Sequence, residues 1–310
     1  MMLVGSLAAC SNGPGSDPTG GIHPIATRSP GASPAFVAFE PGKHDRLLVV
    51  DTATGRVKQT ATGPGSESYA ASLTLRLVYL PVEVSNCRLA VLRVPLTTAS
   101  PRHSRRVAVV RGGPIDDVEA QPALSSDGSH LAVLVASPPS VNSGMGPTCG
   151  DTDRIAIVSV RRGSVHYVSG RAGEQLDDLA WDGSKLLVRV TSPFRPATSH
   201  VVLVGAKTLD LSAASTILTE RHGRPGPVFR WHSALAVVQS GELHRVADGH
   251  VIAKPLGGIE GLPNSVVRVS VAAHGALLMQ TRAGSVYWSN GKSVQQVPVT
   301  IAGRWDEPSW

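Results

Sequence analysis

Apolar residues in this chain fall into short runs separated by small and polar residues, and the runs recur in sets of four. The clearest set opens at Gln121-Pro122-Ala123-Leu124 and passes through Ser125-Ser126-Asp127-Gly128-Ser129 to an apolar run at 131–135. An Asp-Gly pair between two such runs predicts a β-hairpin. A strand at 154–160, the turn Arg161-Arg162-Gly163 and a strand at 165–168 complete the set. Long amphipathic helices are not indicated, because no convincing stretch carries a 3.6-residue apolar period. Residues 203–218 come nearest, and they read as two strands around a turn.

The same order recurs along the chain. Leu179-Ala180-Trp181-Asp182-Gly183-Ser184 leads into strands at 186–190, 200–204 and 215–219. A third set covers 227–231, 234–238, 243–246 and 251–253, with Gly241 and Asp248-Gly249 near its turns. A fourth covers 267–271, 276–280, 286–288 and 294–297, with turns at Ala283-Gly284 and Asn290-Gly291. Upstream, 69–73, 75–80, 89–94 and 106–110 form another. Each unit can bury its apolar faces only against its neighbours, and a period of about 40 to 55 residues fits a propeller better than most solenoids.

The two ends set the blade number. Near the start only three strands are found, at 35–39, 47–51 and 56–60, so that blade lacks its innermost strand. Trp305-Asp306-Glu307-Pro308-Ser309-Trp310 resembles the opening of a repeat and supplies it. The prediction is an all-β, six-bladed β-propeller closed by the C-terminal strand joining the N-terminal blade, which leaves no open sheet edge. Seven blades would need a further strand set within 138–149, a stretch too rich in Gly and Pro to form one.

Composition agrees with one large all-β domain. The 32 glycines and 23 prolines fall mostly between the apolar runs, and 42% of the 310 residues are hydrophobic against 17% charged. That charged share is below the roughly 25% of ordinary soluble domains, so disorder is excluded for most of the chain. The formal net charge of +6 raises the question of an acidic partner. The basic residues are mostly isolated and no aromatics interleave with them to stack on bases, so no nucleic acid is expected. The one cluster, Arg102, His103, Arg105 and Arg106, reads as a solvated turn; facing anionic lipid it would add roughly 1 kcal/mol per charge.

The N-terminus changes the picture. Residues 1–10 form an apolar run ending in Leu7-Ala8-Ala9-Cys10, which resembles the lipobox of bacterial lipoprotein signal peptides. That resemblance implies acylation of Cys10 and a chain held at the cell membrane on its extracytoplasmic side, each buried methylene contributing about 0.8 kcal/mol. No Lys or Arg precedes the run, a departure from the pattern of an export signal that a start assigned too far downstream would explain. The alternative reading is a frayed apolar terminus with a chance cysteine. Residues 11–33 are rich in Gly, Pro, Ser and Asp, the composition of a flexible linker spanning on the order of 26 Å. The expected organisation is therefore a signal segment over 1–10, a linker over 11–33 and the propeller over 34–310.

With Cys10 acylated, Cys87 and Cys149 remain. Each stands before the third strand of its repeat, in successive repeats, so a disulfide between them is expected in an oxidising compartment, with two free buried thiols as the alternative. Neither Cys-x-x-Cys nor His-Glu-x-x-His spacing occurs and the eleven histidines are scattered, so neither a metal site nor a cofactor is expected.

Residues 122–132 and the stretch Trp181-Asp182-Gly183-Ser184-Lys185-Leu186-Leu187 resemble the repeat of the TolB-type, WD40-like propellers, with Ser126 where that family has Pro. Val49-Val50-Asp51-Thr52-Ala53-Thr54-Gly55-Arg56-Val57 similarly resembles a turn of YVTN-type and quinoprotein-like propellers. The resemblance spans about 34–310 and implies the fold far more than a function.

Two functions are open at this stage. In a propeller the connections from second to third strand and from outer to next inner strand share one face, which here carries the long segments 81–87, 137–153 and 191–199. That points to a non-catalytic binding or scaffolding module whose partner is another envelope protein or a small ligand. Asp116, Asp117, Glu119, Asp177, Asp178, Asp306 and Glu307 are expected at the openings of inner strands, ringing the channel mouth, where Arg224, Arg268 and Arg304 are candidate partners. The alternative is a hydrolase or lyase with a site in the central channel, possible with Ca2+ bound by those carboxylates. No Gly-x-Ser-x-Gly elbow is present, so no catalytic residue is assigned.

Overall fold

The computed structural model describes residues 35–40, 46–62, 69–73, 75–85, 87–96, 104–113, 122–136, 149, 153–170, 174–191, 199–205, 211, 214–220, 227–239, 242–253, 266–271, 275–281, 285–290, 293–298 and 306–309. Every regular element among them is a strand. Blade 1 holds β1 (Ala35–Glu40), β2 (Arg46–Asp51) and β3 (Val57–Thr62); blade 2 holds β4 (Ala70–Ser72), β5 (Leu77–Ser85), β6 (Arg88–Pro95) and β7 (Arg105–Arg111). Blade 3 is β8 (Ala123–Leu124), β9 (His130–Ala136), β10 (Asp153–Ser159) and β11 (Val165–Ser169). Blade 4 is β12 (Gln175–Asp182), β13 (Lys185–Thr191), β14 (Ser199–Gly205) and β15 (Ser215–Glu220), so both ends of the stretch 203–218 are strand. Blade 5 is β16 (Val228–Trp231), β17 (Ala234–Gln239), β18 (Glu242–Arg245) and β19 (Val251–Ala253). Blade 6 is β20 (Val266–Val271), β21 (Leu277–Thr281), β22 (Val286–Ser289) and β23 (Val294–Gln296), and the last strand is β24 (Asp306–Ser309).

The middle strands read as unbroken apolar runs because both their faces are buried. In β9, Leu131, Val133 and Val135 pack with Tyr79, Val91 and Val110 of blade 2. The alternate residues Ala132 and Leu134 pack with Leu176, Leu186 and Val188 of blade 4. Every other cluster likewise joins two neighbouring blades. Val37 and Leu47 of blade 1 meet Val78 and Leu80 of blade 2. Leu187 and Val201 of blade 4 meet Val228 and Val237 of blade 5. Phe229 and Leu243 of blade 5 meet Leu277 and Met279 of blade 6. Phe36 and Leu48 then return blade 1 to Leu278 and Val286 of blade 6.

That last cluster closes the circle, and β24 closes it again by hydrogen bonds. It lies on the inner side of β1 in a sheet of order β24-β1-β2-β3, with Val37 opposite Ser309 and Phe39 opposite Asp306. The chain is a six-bladed β-propeller. Joining the last strand to the first blade replaces a chain-end seam with ladder hydrogen bonds and covers the free edge of β1.

Cys87 and Cys149 form a disulfide with their Cα atoms 5.4 Å apart. It joins the β5–β6 connection of blade 2 to the β9–β10 connection of blade 3, equivalent places in successive blades. Cys10 and the segments 1–10 and 11–33 lie outside the described residues.

Candidate functional site

Asp177 and Asp178, expected at the opening of an inner strand, lie inside β12, which begins earlier at Gln175. Leu176 is drawn into the core, and its N–H donates to the Asp153 carboxylate of blade 3 at 2.8 Å. Leu176 then pairs with Val190 and Leu179 with Val188, so two acidic residues oppose the single Arg189. The extra residue is a β-bulge, a device that re-aims side chains.

The consequence is a polar cluster inside blade 4. Arg189, 6% exposed, donates from Nη2 to Asp178 Oδ2 at 3.0 Å. Asp177, 4% exposed, accepts from Thr191 Oγ1 at 2.6 Å, and that hydroxyl lies 3.1 Å from Ser199 Oγ. Asp178 thus meets a cation of the adjacent strand, Arg189. Arg224 and Arg304 lie outside the described residues, as do Asp116, Asp117 and Glu119. Arg268 sits in β20, while Asp306 and Glu307 begin β24.

Beside this cluster is a crevice of about 10 Å³, bounded by Asp178, Ala180, Leu187, Arg189, Val201 and Val228. Such a space holds about one water. The arrangement can position a water or neutralise the charge of the buried Arg189. Among the described residues no group of three or more His, Cys, Asp or Glu side chains is placed to hold a metal ion.

A space of ligand size opens elsewhere, between blades 4 and 5 on the face of the first-to-second and third-to-fourth strand turns. It measures about 560 Å³, within the range of small-molecule sites. Ile217, Ala234, Leu235, Val246 and Ala247 supply apolar walls, and Arg230, Ser233 and Arg245 supply polar groups. Arg230 is fixed by a two-pronged bond to Asp182 across the blade boundary, Nε to Oδ1 at 2.5 Å and Nη2 to Oδ2 at 2.6 Å. Those bonds outweigh desolvation and hold the guanidinium pKa above its ordinary value. Arg245 bonds Asp248 at 2.8 Å. The sequence held no clear sign of this cleft, because its residues come from separate turns that only the blade stacking brings together.

No protein-family model matches the sequence, and no curated protein matches it. Among solved structures it is similar to the beta-propeller domain of the trilobed protease from Pyrococcus furiosus, described as having an open velcro topology. The two share 8% identity over 85% of this chain and 93% of that one, with a TM-score of 0.45. An acylaminoacyl peptidase in complex with a chloromethyl ketone gives 9% identity, 85% and 50% coverage and a TM-score of 0.49. A puromycin-hydrolyzing peptidase of Mycobacterium tuberculosis gives 16%, 87% and 44%, also with 0.49. The chain spans half or less of the length of these last two. At such identities the likeness concerns shape alone, and no activity is carried over from it.

Proposed function

We propose that this chain is a TolB-like, lipid-anchored propeller on the extracytoplasmic side of the cell membrane, acting as a non-catalytic binding or scaffolding module. The observation that carries the reading is the Cys87–Cys149 disulfide. Disulfides persist in oxidising compartments and are rare where thioredoxin and glutathione keep thiols reduced. Two of the three cysteines are thereby accounted for, and the third stands in the sequence Leu7-Ala8-Ala9-Cys10, as an acyl acceptor would. The binding role rests on the ring itself, a rigid scaffold with an open cleft of about 560 Å³ between two blades.

Two measurements in cells test it. Thiols trapped by alkylation at the moment of lysis should leave Cys87 and Cys149 unmodified, and Cys10→Ala should move the protein from the membrane to the soluble fraction. Alkylated Cys87 and Cys149 would refute the extracytoplasmic placement. A Cys10→Ala protein that stayed with the membrane after a high-salt wash would refute the lipid anchor.

A further inference from the structure

The outer edge of blades 2 and 3 concentrates positive charge. Arg93 of β6 lies directly opposite Arg105 of β7, and Arg106 follows. The turn Arg161-Arg162-Gly163 of blade 3 comes against the same strand, since a Cβ placed on Gly163 would lie 2.6 Å from the Val107 carbonyl oxygen. Arg105, Arg106, Arg161 and Arg162 are each within two residues, about 7 Å of chain, of that contact. All five arginines are exposed, and among the described residues none is ion-paired. Like charges directly opposite on neighbouring strands destabilise a sheet, and an anion from outside relieves the repulsion between Arg93 and Arg105, which the arginines of the neighbouring turn add to.

The chain's own path says which anion. Ala35, the first residue of β1, pairs with Asp51, which opens the β2–β3 turn. The N-terminal segment therefore joins the propeller at the end of blade 1 where its third-to-fourth strand turn lies. That is the face towards which β6 and β10 run as they lead into β7 and β11, one and two blades away. A tether and a basic edge on one face, side by side, suit one planar anionic surface.

We infer that Arg93, Arg105, Arg106, Arg161 and Arg162 form a docking edge for the anionic lipid headgroups of the membrane, orienting the propeller on its tether. This rests on the lipid-anchored reading above. The ring then tilts with blades 2 and 3 against the lipid, and the disulfide-linked connections of the opposite face point away from it. Each arginine near an anionic surface contributes about a fivefold gain in partitioning.

The test uses the full chain carrying Cys10→Ala, so that no acyl chain contributes, in sedimentation with vesicles of one-third phosphatidylglycerol in phosphatidylcholine. Binding is expected with these vesicles and not with pure phosphatidylcholine, and it should fall steeply as salt is raised. Adding Arg105→Gln and Arg162→Gln should weaken it about 25-fold. Arg88→Gln with Arg111→Gln, removing the same charge where β6 and β7 meet at the other face, should change it little. Equal losses from the two pairs, or no dependence on phosphatidylglycerol, overturn the proposal. Tighter binding to duplex DNA than to the vesicles at equal salt also overturns it, in favour of a nucleic acid. Self-association of the Arg105→Gln, Arg162→Gln protein with vesicle binding unchanged would reassign these residues to guarding the sheet edge. The anchor is judged separately, by the fractionation of Cys10→Ala in cells, so failure of either idea leaves the other standing.

Discussion

Gly113 packs directly on the sulfur of Cys149, so closely that a Cβ at Gly113 would overlap Sγ and come within 3.0 Å of the cysteine Cβ. Its neighbour Gly112 donates from its N–H to the Cys87 carbonyl at 2.7 Å, and Gly113 exchanges backbone hydrogen bonds with Ala136 at 3.1 Å in each direction. The two glycines thus sit between the half-cystines and join the end of β7 to β9 of the next blade. A side chain here must displace the disulfide or the bridge.

Gly113→Ala is therefore expected to leave a fraction of the protein with free thiols, counted by a thiol reagent in denaturant. The fully reduced state should lose the closure of a loop of 62 residues, worth roughly 4 kcal/mol on the chain-entropy model. The Cys87→Ser, Cys149→Ser protein should match the reduced wild type in its denaturant midpoint. A Gly113→Ala protein with no free thiol and an unchanged midpoint would contradict this packing.

Gly55 marks the seam between the last blade and the first. It has φ +64°, and a Cβ there would overlap the Pro298 carbonyl oxygen, whereas Gly183, at φ +59°, has nothing within 4 Å. Both substitutions to Ala incur the left-handed strain of about 1–2 kcal/mol. Only Gly55→Ala must also push two blades apart. Its unfolding midpoint should therefore fall well below that of Gly183→Ala, and equal losses would show that the seam yields freely.

Most of the architecture was legible because a propeller writes one blade four strands at a time. Middle strands such as 131–135 and 186–190 announce themselves as continuous apolar runs, and the Asp-Gly turns at 127–128 and 182–183 mark where the first two strands of a blade meet. The missing inner strand near residue 35 and the surplus strand at 306 forced the same ring closure that β24 makes with β1. The local chemistry was less legible. No periodicity distinguishes the bulge that turns Asp177 and Asp178 toward Arg189, since it depends on Leu176 being claimed by the core between blades 3 and 4. The arginines at 105–106 read as a solvated turn because their companions at 93 and 161–162 are adjacent only through pairing and blade stacking.

The ion pair of blade 4 makes a prediction of its own. Arg189 is buried while Asp178 is about a third exposed, so removing the cation costs less than the roughly 3–5 kcal/mol of a fully buried pair, and replacing both partners by neutral groups costs less again. Arg189→Met should accordingly be destabilising, and adding Asp178→Asn should recover part of the loss. Urea unfolding of both proteins reads the difference. No recovery in the double variant would mean that packing of the Arg189 stem, not its charge, is what blade 4 depends on.

Asp127 gives the fold a marked acid dependence at one turn. Its Oδ1 accepts from Ser125 Oγ at 2.6 Å, from the Ser129 N–H at 3.0 Å and from Ser129 Oγ at 2.8 Å. The Ser125 hydroxyl contributes most, desolvation works against it, and the Ser129 bonds and the charge of His130 add to it, leaving the carboxyl at about 2 against 3.8 normally. A carboxyl lowered on folding stabilises the native state above its unfolded pKa and loses that contribution as pH falls through the folded value. Asp127→Asn should therefore be less stable than the wild type from neutral pH down to about pH 4. The gap should narrow between about pH 4 and pH 2 and vanish below. Thermal melts of the two proteins across that range check it, and a constant difference down to pH 2 would show that the turn is held by shape and not by the ionised carboxylate.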